Sequence, residues 1–482
     1  MKPVMTEESK GIRVIIDDSI KKPWCPHGPT LLFESTSSDK STVRRFFACS
    51  ACRDRSECPF YQEYDSESEE IEVQKEISKE LVTFEEFQKS PVNDRFYCMK
   101  THSVYLKSKT QSHSNFESIP FPSTLTKPSE FLPPKSNDKK EAQYFFSTDT
   151  LTFFTRMFRQ LSINKVLCIG APAMHDELLS HGIKSFLLDI DDRLFSFYPR
   201  TKFAYYNMFN HHFFRVNDLQ DDPKAEYLKF LKNTKPTDSI CIFTDPPFGC
   251  LTDPLADTLR KIQEDFRKVN EGTLKIVPIV LVFPYFMETY VRKVLPELSM
   301  SDYRINYVNH EKYNEKSNSR KDLGSPVRFF TNILPNLIKL PKEEYRYCEK
   351  CERFVSKSNN HCKLCGICPS KNGSTYKHCK TCHFCVKPNY VHCPKCNKCT
   401  QKPGHKCLEY KKYLICSICK GQGHPEISCE ALKIVRKRIF SDLKLNNKKN
   451  CLICCTDGHT HFSCLHRETI LEEIQKYKDN NS

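Results

Sequence analysis

The sequence predicts an α/β protein in which a doubly wound core of parallel strands is flanked by small cysteine-rich modules. Short apolar runs alternate with helix-like patterns between residues 141 and 340. In addition, 19 of the 27 cysteines lie between Cys348 and Cys464, interleaved with histidines. A chain of 482 residues has room for roughly two to four domains.

Four apolar runs are predicted to form strands of the core, at residues 166–169, 186–188, 240–244 and 276–283. The first run ends at Gly170-Ala171-Pro172, and the second ends at Asp189-Ile190-Asp191. In a parallel α/β sheet, ligands bind at the carboxyl ends of the strands. We therefore expect the functional site of residues 141–340 at these ends.

The composition favours a polyanionic partner and a reducing compartment. The chain has 74 Lys+Arg against 59 Asp+Glu, a formal net charge of +15. No apolar run approaches the roughly 20 residues that cross a bilayer, and residues 1–18 lack the apolar segment of a secretory signal. We expect no membrane partner. Cys-x2-Cys pairs beside histidines then indicate zinc ligands rather than disulfides.

The motif Asp245-Pro246-Pro247-Phe248 follows the third predicted strand. An aryl amine such as adenine N6 is a weak nucleophile because its lone pair is delocalised into the ring. A carboxylate and a carbonyl of the Pro-Pro turn can accept its N–H bonds and direct the lone pair at a methyl sulfonium. The prolines fix the turn, and the aromatic ring can stack on an unpaired base.

This motif resembles that of methyltransferases that act on amines. The resemblance implies a Rossmann-like class I methyltransferase core, flanked by small zinc-stapled modules, with S-adenosylmethionine as cofactor. Gly170 would let the backbone approach the methionine and ribose parts of this cofactor. Asp189 or Asp191 stands where an acidic side chain binds ribose hydroxyls. Each acid alone is equally compatible with a helix cap or a solvated turn.

Further segments match at residues 142–145, 166–172, 185–191, 206–214, 244–249, 283–286 and 325–332. They resemble the animal CCHC zinc-finger 28S ribosomal RNA N6-adenosine methyltransferases. The resemblance implies an adenosine of large-subunit rRNA as the acceptor, ribosome-assembly factors as further partners, and a location in the nucleus, the nucleolus and the cytoplasm. The oligomeric state stays open.

The same resemblance implies the residues of the active site. The residues with catalytic roles are Asp245, Pro246, Pro247 and Phe248. The residues expected to line the cofactor site are Gln143, Ile169, Gly170, Ala171, Pro172, Asp189, Asn207 and Asp245. For His211 and His212, a direct role and a packing role are both open.

Residues 23–62 are predicted to form the first zinc module, after a disordered start at residues 1–22. The module resembles the GRF-type zinc finger, which binds single-stranded nucleic acid. The resemblance implies the ligands Cys25, His27, Cys49 and Cys58. Cys52 is the alternative to Cys49. The arginines that could meet phosphates are Arg44, Arg45, Arg53 and Arg55.

Two further blocks precede the core. Residues 63–94 are predicted to be an acidic spacer. Residues 95–140 hold a degenerate C2H2-like finger and a linker, in which Cys98 and His113 fit the pattern. Thr101 and Phe116 replace the other two ligands, although His102 could substitute for one of them. Zinc binding by this finger therefore stays open.

Residues 345–409 are predicted to be a multi-zinc domain, because a His-Cys-x2-Cys-x2-Cys block recurs three times after a first Cys-x2-Cys pair. Adjacent His and Cys side chains point in different directions, so the spacing predicts interleaved ligand sets. The sets are Cys348/Cys351/His361/Cys368, Cys362/Cys365/His378/Cys385, Cys379/Cys382/His392/Cys399 and Cys393/Cys396/His405/Cys407. The block resembles the cysteine-rich domain of palmitoyltransferases without their catalytic tetrad, so we expect a structural role.

Two CCHC knuckles are predicted at residues 414–430 and 451–465, joined by a basic linker at 431–450 and followed by a tail at 466–482. Their ligands are Cys416, Cys419, His424 and Cys429, then Cys451, Cys454, His459 and Cys464. Such knuckles bind single-stranded RNA. The linker could contact phosphates or be a solvated basic helix. In total, we expect about six or seven zinc ions.

Two other functions remain open at this point. Some enzymes with Asp-Pro-Pro-aromatic motifs methylate protein lysines, and a methyltransferase fold can also serve as a non-catalytic RNA-binding scaffold. The zinc modules and the charge of +15 favour RNA over a protein substrate. The intact motif at Asp245 favours catalysis over binding alone.

Overall fold

The computed structural model describes residues 12–36, 43–52, 55–64, 81–100, 102–108, 118–120, 127–133, 145–216, 222–273, 275–308, 325–394, 398–401, 416–422, 424, 426–440, 451–454, 456, 461 and 464–479. The chain divides into two compact units. One consists of Met1–Met300 and Arg304–Ile333, and the other of Ser301–Tyr303 and Leu334–Ser482.

The N-terminal part of the first unit consists of short strands and two short helices. The strands are β1 (Ile12–Ile15), β2 (Trp24–Cys25), β3 (Gly28–Pro29), β4 (Leu31–Thr36), β5 (Val43–Ala48), β6 (Tyr61–Glu63), β7 (Arg95–Cys98), β8 (Ser103–Leu106) and β9 (Ser118–Pro120). The helices are α1 (Phe84–Lys89) and α2 (Pro128–Phe131).

The first zinc module contains an antiparallel sheet with the strand order β1-β4-β5-β6 and the hairpin β2-β3. Strand β1 pairs with β4 at Ile12–Ile15, inside the region that we expected to be disordered. Its alternating apolar residues extend the sheet edge, and Arg13 pairs with Glu34 at 2.6 Å. The expectation of disorder is therefore wrong for this stretch.

Helix α1 lies at the end of the predicted acidic spacer. Thr83 and Glu86 form a reciprocal capping box at its N-terminus, and Phe87 is buried. Residues 65–80 of the spacer lie outside the described residues. The spacer thus ends in a short, packed helix.

The core of the first unit alternates strands and helices. The strands are β10 (Lys165–Ile169), β11 (Lys184–Asp189), β12 (Phe203–Asn207), β13 (His212–Phe213), β14 (Ile240–Thr244), β15 (Ile279–Pro284), β16 (Ser299–Met300) and β17 (Val327–Thr331). The helices are α3 (Thr148–Gln160), α4 (Pro172–Ser180), α5 (Ala225–Leu231), α6 (Thr252–Val269) and α7 (Glu288–Val294).

These strands form one eight-stranded sheet with the order β13-β12-β11-β10-β14-β15-β17-β16. The pairs from β12 through β15 are parallel, whereas β17 pairs antiparallel with both β15 and β16. The predicted α/β fold is confirmed. The fourth predicted strand begins at Ile279 rather than at Ile276, which is 70% exposed.

Aromatic side chains pack helix α3 against the sheet. Ser147 caps this helix, and its apolar face buries Phe153, Phe154, Met157 and Phe158. The ring of Phe154 meets Phe243 of β14 edge-on at 4.9 Å and Phe329 of β17 at 5.5 Å. Such contacts are worth about 0.5–1.5 kcal/mol each beyond the buried area. They support β14, the strand that directly precedes Asp245.

The second unit begins with three two-stranded hairpins, one after another along the chain. Their strands are β18 (Tyr345–Cys348), β19 (Arg353–Ser356), β20 (Lys377–Cys379), β21 (Phe384–Val386), β22 (Tyr390–Cys393) and β23 (Lys398–Gln401). Apolar clusters here are small and include cysteines, as with Cys348, Val355 and Cys368. Strands of three or four residues with so little core need cross-links to be stable.

The rest of the second unit places a helix after each predicted knuckle. These are α8 (Glu430–Ile439) and α9 (Arg467–Asp479). Cysteines of both knuckles share one apolar cluster with residues of both helices, among them Leu432, Val435, Ile470 and Ile474. The two knuckles are therefore parts of one small domain. Within the described ranges, none of the helices is long and apolar enough to cross a membrane.

Candidate active site and zinc clusters

The candidate active site lies where the parallel strands end. Ile169 at the end of β10 is in register with Leu188 of β11 on one side and with Thr244 of β14 on the other. The chain crosses to opposite sides of β10 at this point, which is the switch point where doubly wound sheets bind ligands. The loops after β10, β11 and β14 therefore meet at one edge.

Gly170 lies in the loop after β10 and is close to both neighbouring segments, at Leu188 and at Asp245. Its backbone has φ +65°, and its amide donates to the Leu188 carbonyl at 2.9 Å. A Cβ at this position would stand 2.7 Å from the Met208 methyl and 3.1 Å from the Asp245 carbonyl oxygen. Glycine is required here because the backbone has positive φ and because Met208 and Asp245 fill the place of a Cβ. The predicted contact of Gly170 with the cofactor stays a prediction.

Of the two acids after β11, Asp191 has a structural role. Its carboxylate pairs with the Arg193 guanidinium at 2.6 Å and caps the following 3₁₀ turn. Asp189 ends the strand itself, and its Oδ1 accepts a bond from the Asp191 amide at 2.9 Å. Asp189 thus remains the candidate for the ribose hydroxyls, while Asp191 fixes the turn.

The Asp-Pro-Pro-Phe turn leaves the sheet directly beside Gly170. The Asp245 amide donates to the Ile169 carbonyl at 3.1 Å, and the Cys250 amide donates to the Pro247 carbonyl at 2.9 Å, which closes the turn. Burial raises the pKa of the Asp245 carboxyl well above its usual range. Phe248 is half-buried and packs against the sheet core. The predicted role of Asp245 as the acceptor for an amine substrate stays a prediction.

The turn after β12 joins the sheet to the first zinc module. The Asn207 amide nitrogen donates to the His27 carbonyl and to Ser50 Oγ, both at 2.8 Å. Asn210 similarly donates to the Pro29 carbonyl at 2.7 Å. Asn207 lies at the strand edge, but these contacts are structural, and its predicted role in cofactor binding stays a prediction. Gln143 lies outside the described residues.

The two histidines of this turn pack against neighbouring residues. His211 contacts the Tyr206 hydroxyl through Nδ1 at 2.8 Å and Asp265 Oδ2 through Nε2 at 3.0 Å. Burial lowers the pKa of His211, although the bond to Asp265 opposes this shift. The His212 ring meets Trp24 edge-on at 4.8 Å. His211 therefore fixes the turn to the sheet and to α6, whereas His212 packs it against the zinc module.

Two aromatic residues near the site were not predicted as functional. Tyr307 meets Phe248 edge-on at 6.0 Å, and its position after a long loop gives no local signal. Phe286 follows β15, the parallel neighbour of β14, and is 48% exposed. Its signal was present in the sequence, since two aromatic residues, Tyr285 and Phe286, directly follow an apolar strand.

The first zinc module brings its predicted ligands together. One ligand atom each from Cys25, His27, Cys49 and Cys58 lies within 4.8 Å of the others. The hairpin β2-β3 presents the first two ligands, and Gly28, at φ +90°, completes its turn. The alternative ligand, Cys52, is half-buried, with its sulfur 3.5 Å from His27 Nε2. Cys52 thus lies beside the cluster.

The multi-zinc domain brings together three of the four sets that the spacing predicts. They are Cys348/Cys351/His361/Cys368, Cys362/Cys365/His378/Cys385 and Cys379/Cys382/His392/Cys399. Each histidine presents Nδ1, which lies 3.2 Å from the nearest sulfur in all three sets. Of the fourth set, Cys396, His405 and Cys407 lie outside the described residues, which include only Cys393.

The distances between the sulfurs of these sets fit zinc. With Zn–S near 2.3 Å and Zn–N near 2.0 Å, a tetrahedral site separates its ligand atoms by roughly 3.5–3.8 Å. The sulfurs of Cys365 and Cys385 are 3.7 Å apart, and so are those of Cys382 and Cys399. Three thiolates and one imidazole form a closed donor set, which is typical of structural zinc. Several clusters of this chain can therefore bind zinc.

The remaining predicted ligands belong to the two knuckles and to the degenerate finger. Cys416, Cys419, His424 and Cys429 of the first knuckle converge within 4.8 Å. In the second knuckle, Cys451, Cys454 and Cys464 are buried, but His459 lies outside the described residues. In the degenerate finger, Cys98 is buried and His102 Nδ1 contacts the Tyr97 hydroxyl at 3.1 Å. His113, Thr101 and Phe116 are not described.

The basic helix α8 has one exposed side and one packed side. Lys433, Lys437 and Arg438 are exposed. Arg436 instead donates to the Leu452 carbonyl of the second knuckle at 3.1 Å. In the opposite direction, Lys478 of α9, which follows the second knuckle, donates to the Cys419 carbonyl of the first knuckle at 2.8 Å. Arg436 therefore holds the two knuckles together. Of the three exposed residues, Lys433 pairs with Glu430 at 2.9 Å, and contact of this helix with phosphates stays a prediction.

The sheet order, the glycine loop and the Asp-Pro-Pro-Phe turn define a Rossmann-like methyltransferase, and this class implies S-adenosylmethionine as cofactor. Residues 137–333 match the family described as "Probable N6-adenine methyltransferase".

Relatives match the chain along about three quarters of its length. It is 38% identical over 391 residues to the rRNA N(6)-adenosine-methyltransferase ZCCHC4 of Homo sapiens, covering 76% of this chain and 75% of that protein. It is 37% identical over 381 residues to the enzyme of the same name from Xenopus tropicalis, covering 74% and 77% of the two chains. The chain therefore belongs to the family of rRNA N(6)-adenosine-methyltransferases.

Gly170→Ala should weaken cofactor binding, because the added Cβ meets the Asp245 carbonyl oxygen at 3.1 Å, where backbone has little freedom to move. We expect binding of S-adenosylhomocysteine, measured by titration calorimetry, to weaken about tenfold. Gly182→Ala is the matched control, since Gly182 has φ +73° and a Cβ added there would have nothing within 4 Å. Equal affinities in both variants would contradict the assignment of Gly170 to the cofactor loop.

Zinc chelation should unfold residues 345–401, because their short hairpins have little core besides the metal ligands. Limited proteolysis with peptide mapping should show new cleavage in this region, while the eight-stranded sheet stays resistant. Cys365→Ser should open the second set in the same way without chelator. Zinc loss, verified by elemental analysis, without any change in cleavage would disprove the structural role of the metal.

Proposed function

We propose that this protein transfers a methyl group from S-adenosylmethionine to N6 of an adenosine in large-subunit ribosomal RNA. The observation that carries the proposal is the position of the Asp245 backbone, which begins the Pro-Pro turn, directly against Ile169 and Gly170. The relatives named as rRNA N(6)-adenosine-methyltransferases support the substrate class.

The residues of the turn have distinct roles in this proposal. Bound S-adenosylmethionine supplies an electrophilic methyl group on a sulfonium. The Asp245 carboxylate and the Pro246 carbonyl would accept the two N6 hydrogens, which would draw the nitrogen lone pair out of the ring and toward the methyl carbon. Transfer would form the N–C bond as the C–S bond of the sulfonium breaks, with the electron pair left on sulfur and one N6 proton released to water. Phe248 stacks on the unpaired adenine, and Tyr307 supports Phe248 from the side.

A row of aromatic rings on the first zinc module supports contact with single-stranded RNA. Phe33 and Phe46 stack at 5.5 Å, and Phe46 contacts Tyr61 at 5.1 Å. The Arg55 guanidinium lies 4.2 Å over the Tyr61 ring, which is 38% exposed. Aromatic platforms beside arginines are typical of surfaces that stack bases and bind phosphates. This row of rings and the two knuckles would bind the RNA and bring it to the active site.

The proposal includes the finer expectations about metals and location. The structural zinc count would be about six or seven. The convergent clusters in the described residues support at least part of this number. Action on ribosomal RNA would place the protein in the nucleolus and nucleus, and in the cytoplasm, with ribosome-assembly factors as partners.

Methylation of protein lysines and a purely scaffolding role are not favoured, since the matched family and the named relatives are adenine methyltransferases. One assay separates all three functions. Labelled S-adenosylmethionine is incubated with the enzyme and with total RNA or total protein from cells that lack it, and nucleosides are analysed by mass spectrometry. Label in N6-methyladenosine of large-subunit rRNA is the expected result, and label only in lysine would overturn the proposal.

Methyl transfer should depend on the ionisation of Asp245. The pKa of this carboxyl is raised, and its ionised form is the stronger acceptor for the N6 hydrogen, so kcat/KM should rise with pH through an inflection above the usual aspartate range. Asp245→Asn should keep some activity but lose this acid limb. Asp245→Ala should abolish transfer while RNA binding persists. An unchanged pH profile in Asp245→Asn would contradict the role of the carboxylate.

Phe286 should provide a second ring for the RNA at the active site, because it is exposed at the carboxyl end of β15 beside the Asp245 turn. Stacking contributes about 1–3 kcal/mol per base, so Phe286→Ala should lower kcat/KM for RNA by roughly tenfold or more. Phe286→Tyr, which keeps an aromatic ring, should retain the wild-type rate. The control is Ile276→Ala, an exposed apolar residue that precedes the opposite end of the same strand. Equal effects in both alanine variants would contradict stacking.

A further inference from the structure

We propose that the first zinc module positions the cofactor loop, so that its bound metal is energetically coupled to cofactor affinity. The coupling runs through Asn207 and Met208, two consecutive residues at the end of β12. One contacts the zinc module and the other contacts the loop at Gly170. The inference rests on the proposed function, because it concerns the S-adenosylmethionine site.

On the zinc side, Asn207 binds two segments that carry ligands of the metal cluster, one with His27 and the other with Cys49. One acceptor is the carbonyl of the ligand His27 at 2.8 Å. The other is Ser50 Oγ, also at 2.8 Å, on the residue that follows the ligand Cys49. Asn207 is fully buried, and its Oδ1 accepts from the Phe209 amide at 3.0 Å. All of its amide groups are thus engaged, and the backbone acceptor at His27 fixes the orientation of the amide.

Neighbouring contacts hold the same turn to the zinc hairpin. Asn210 donates to the Pro29 carbonyl at 2.7 Å and shares Ser50 Oγ at 3.0 Å. The His212 ring lies so close to Gly28 that a Cβ there would be 2.7 Å away. From the opposite side, Asp265 of α6 holds His211. The turn is therefore clamped between the sheet and the metal cluster.

On the cofactor side, Met208 confines Gly170. The Met208 methyl and the Asp245 carbonyl oxygen both lie close to the point that a Cβ of this glycine would occupy, at 2.7 and 3.1 Å. Met208 is buried, so it has no free volume into which to withdraw. A displacement of the turn at Asn207 therefore changes the space available to the glycine loop and its distance from Asp245.

Metal loss would produce such a displacement. Zinc links the hairpin that carries His27 to Cys49 and Cys58, which are distant in sequence. Without it, the separation of the hairpin and Ser50 depends only on the neighbouring β4-β5 pairing, in which Leu31 is in register with Ala48, and is less tightly fixed. The buried amide of Asn207 then keeps its acceptors only if the turn follows them, because an unpaired buried donor is unfavourable.

The test measures cofactor affinity and zinc content in the full-length protein. Cys58→Ser removes a ligand of the first module, and Cys416→Ser removes a ligand of the first knuckle as the matched control. Each variant should lose about one zinc. Cys58→Ser should weaken S-adenosylhomocysteine binding by about fivefold or more, since couplings between sites are commonly 5- to 150-fold. Cys416→Ser should leave this affinity unchanged.

Ser50→Ala provides a second variant that keeps all four ligands, in case Cys58→Ser does not fold. It should retain its zinc and still weaken S-adenosylhomocysteine binding, because Asn207 and Asn210 both lose an acceptor. By reciprocity, S-adenosylhomocysteine should make one zinc of the wild-type protein harder for a chelator to extract, and this protection should be missing in Cys58→Ser.

Two results would overturn the inference. The first is unchanged S-adenosylhomocysteine affinity in a folded Cys58→Ser protein that has lost its zinc. The second is a loss of RNA affinity alone in this variant, which would show that the module serves only the RNA. Failure of the wild-type protein to bind S-adenosylhomocysteine would instead overturn the proposed function itself.

Discussion

The backbone hydrogen bond from the Asp245 amide to the Ile169 carbonyl sets the spacing on which the candidate active site depends. It extends the parallel pairing of β10 and β14 by one step beyond the strands. The glycine loop and the Asp-Pro-Pro-Phe turn consequently leave the sheet side by side. Each depends on the other, because the Asp245 carbonyl also limits the space around Gly170.

The metal clusters solve a different physical problem. Hairpins of three or four residues per strand cannot bury enough apolar surface to offset the entropy of ordering their loops. The closed sets of three thiolates and one imidazole replace that missing core in the second unit. In the first unit, the zinc hairpin also has a packing role, because its backbone carbonyls accept bonds from Asn207 and Asn210.

Sequence reasoning identified the features that local spacing determines. An apolar strand followed by Asp245-Pro246-Pro247-Phe248 identifies both the strand end and its chemistry, and the repeated ligand blocks define interleaved sets. It did not identify contacts between distant segments. The bond from Asn207 to His27 spans 180 residues, and nothing local to either residue indicates it.

The same limit explains other differences. The segment Ile12–Ile15 is short and has polar neighbours, so the sequence alone does not predict a strand there. The segment forms a strand by pairing with β4. Arg436 belongs to a basic segment that could contact phosphates, but in the fold its side chain donates to the Leu452 carbonyl. In both cases a partner far along the chain decides the outcome.

The interleaved ligand sets also impose a direction on assembly. Cys348 and Cys351 find their remaining ligands, His361 and Cys368, only in the following block, and the next two sets among the described residues repeat this arrangement. During synthesis, each ion can be fully enclosed only after the next block has left the ribosome. The domain would thus mature from its amino end to its carboxyl end, one metal at a time.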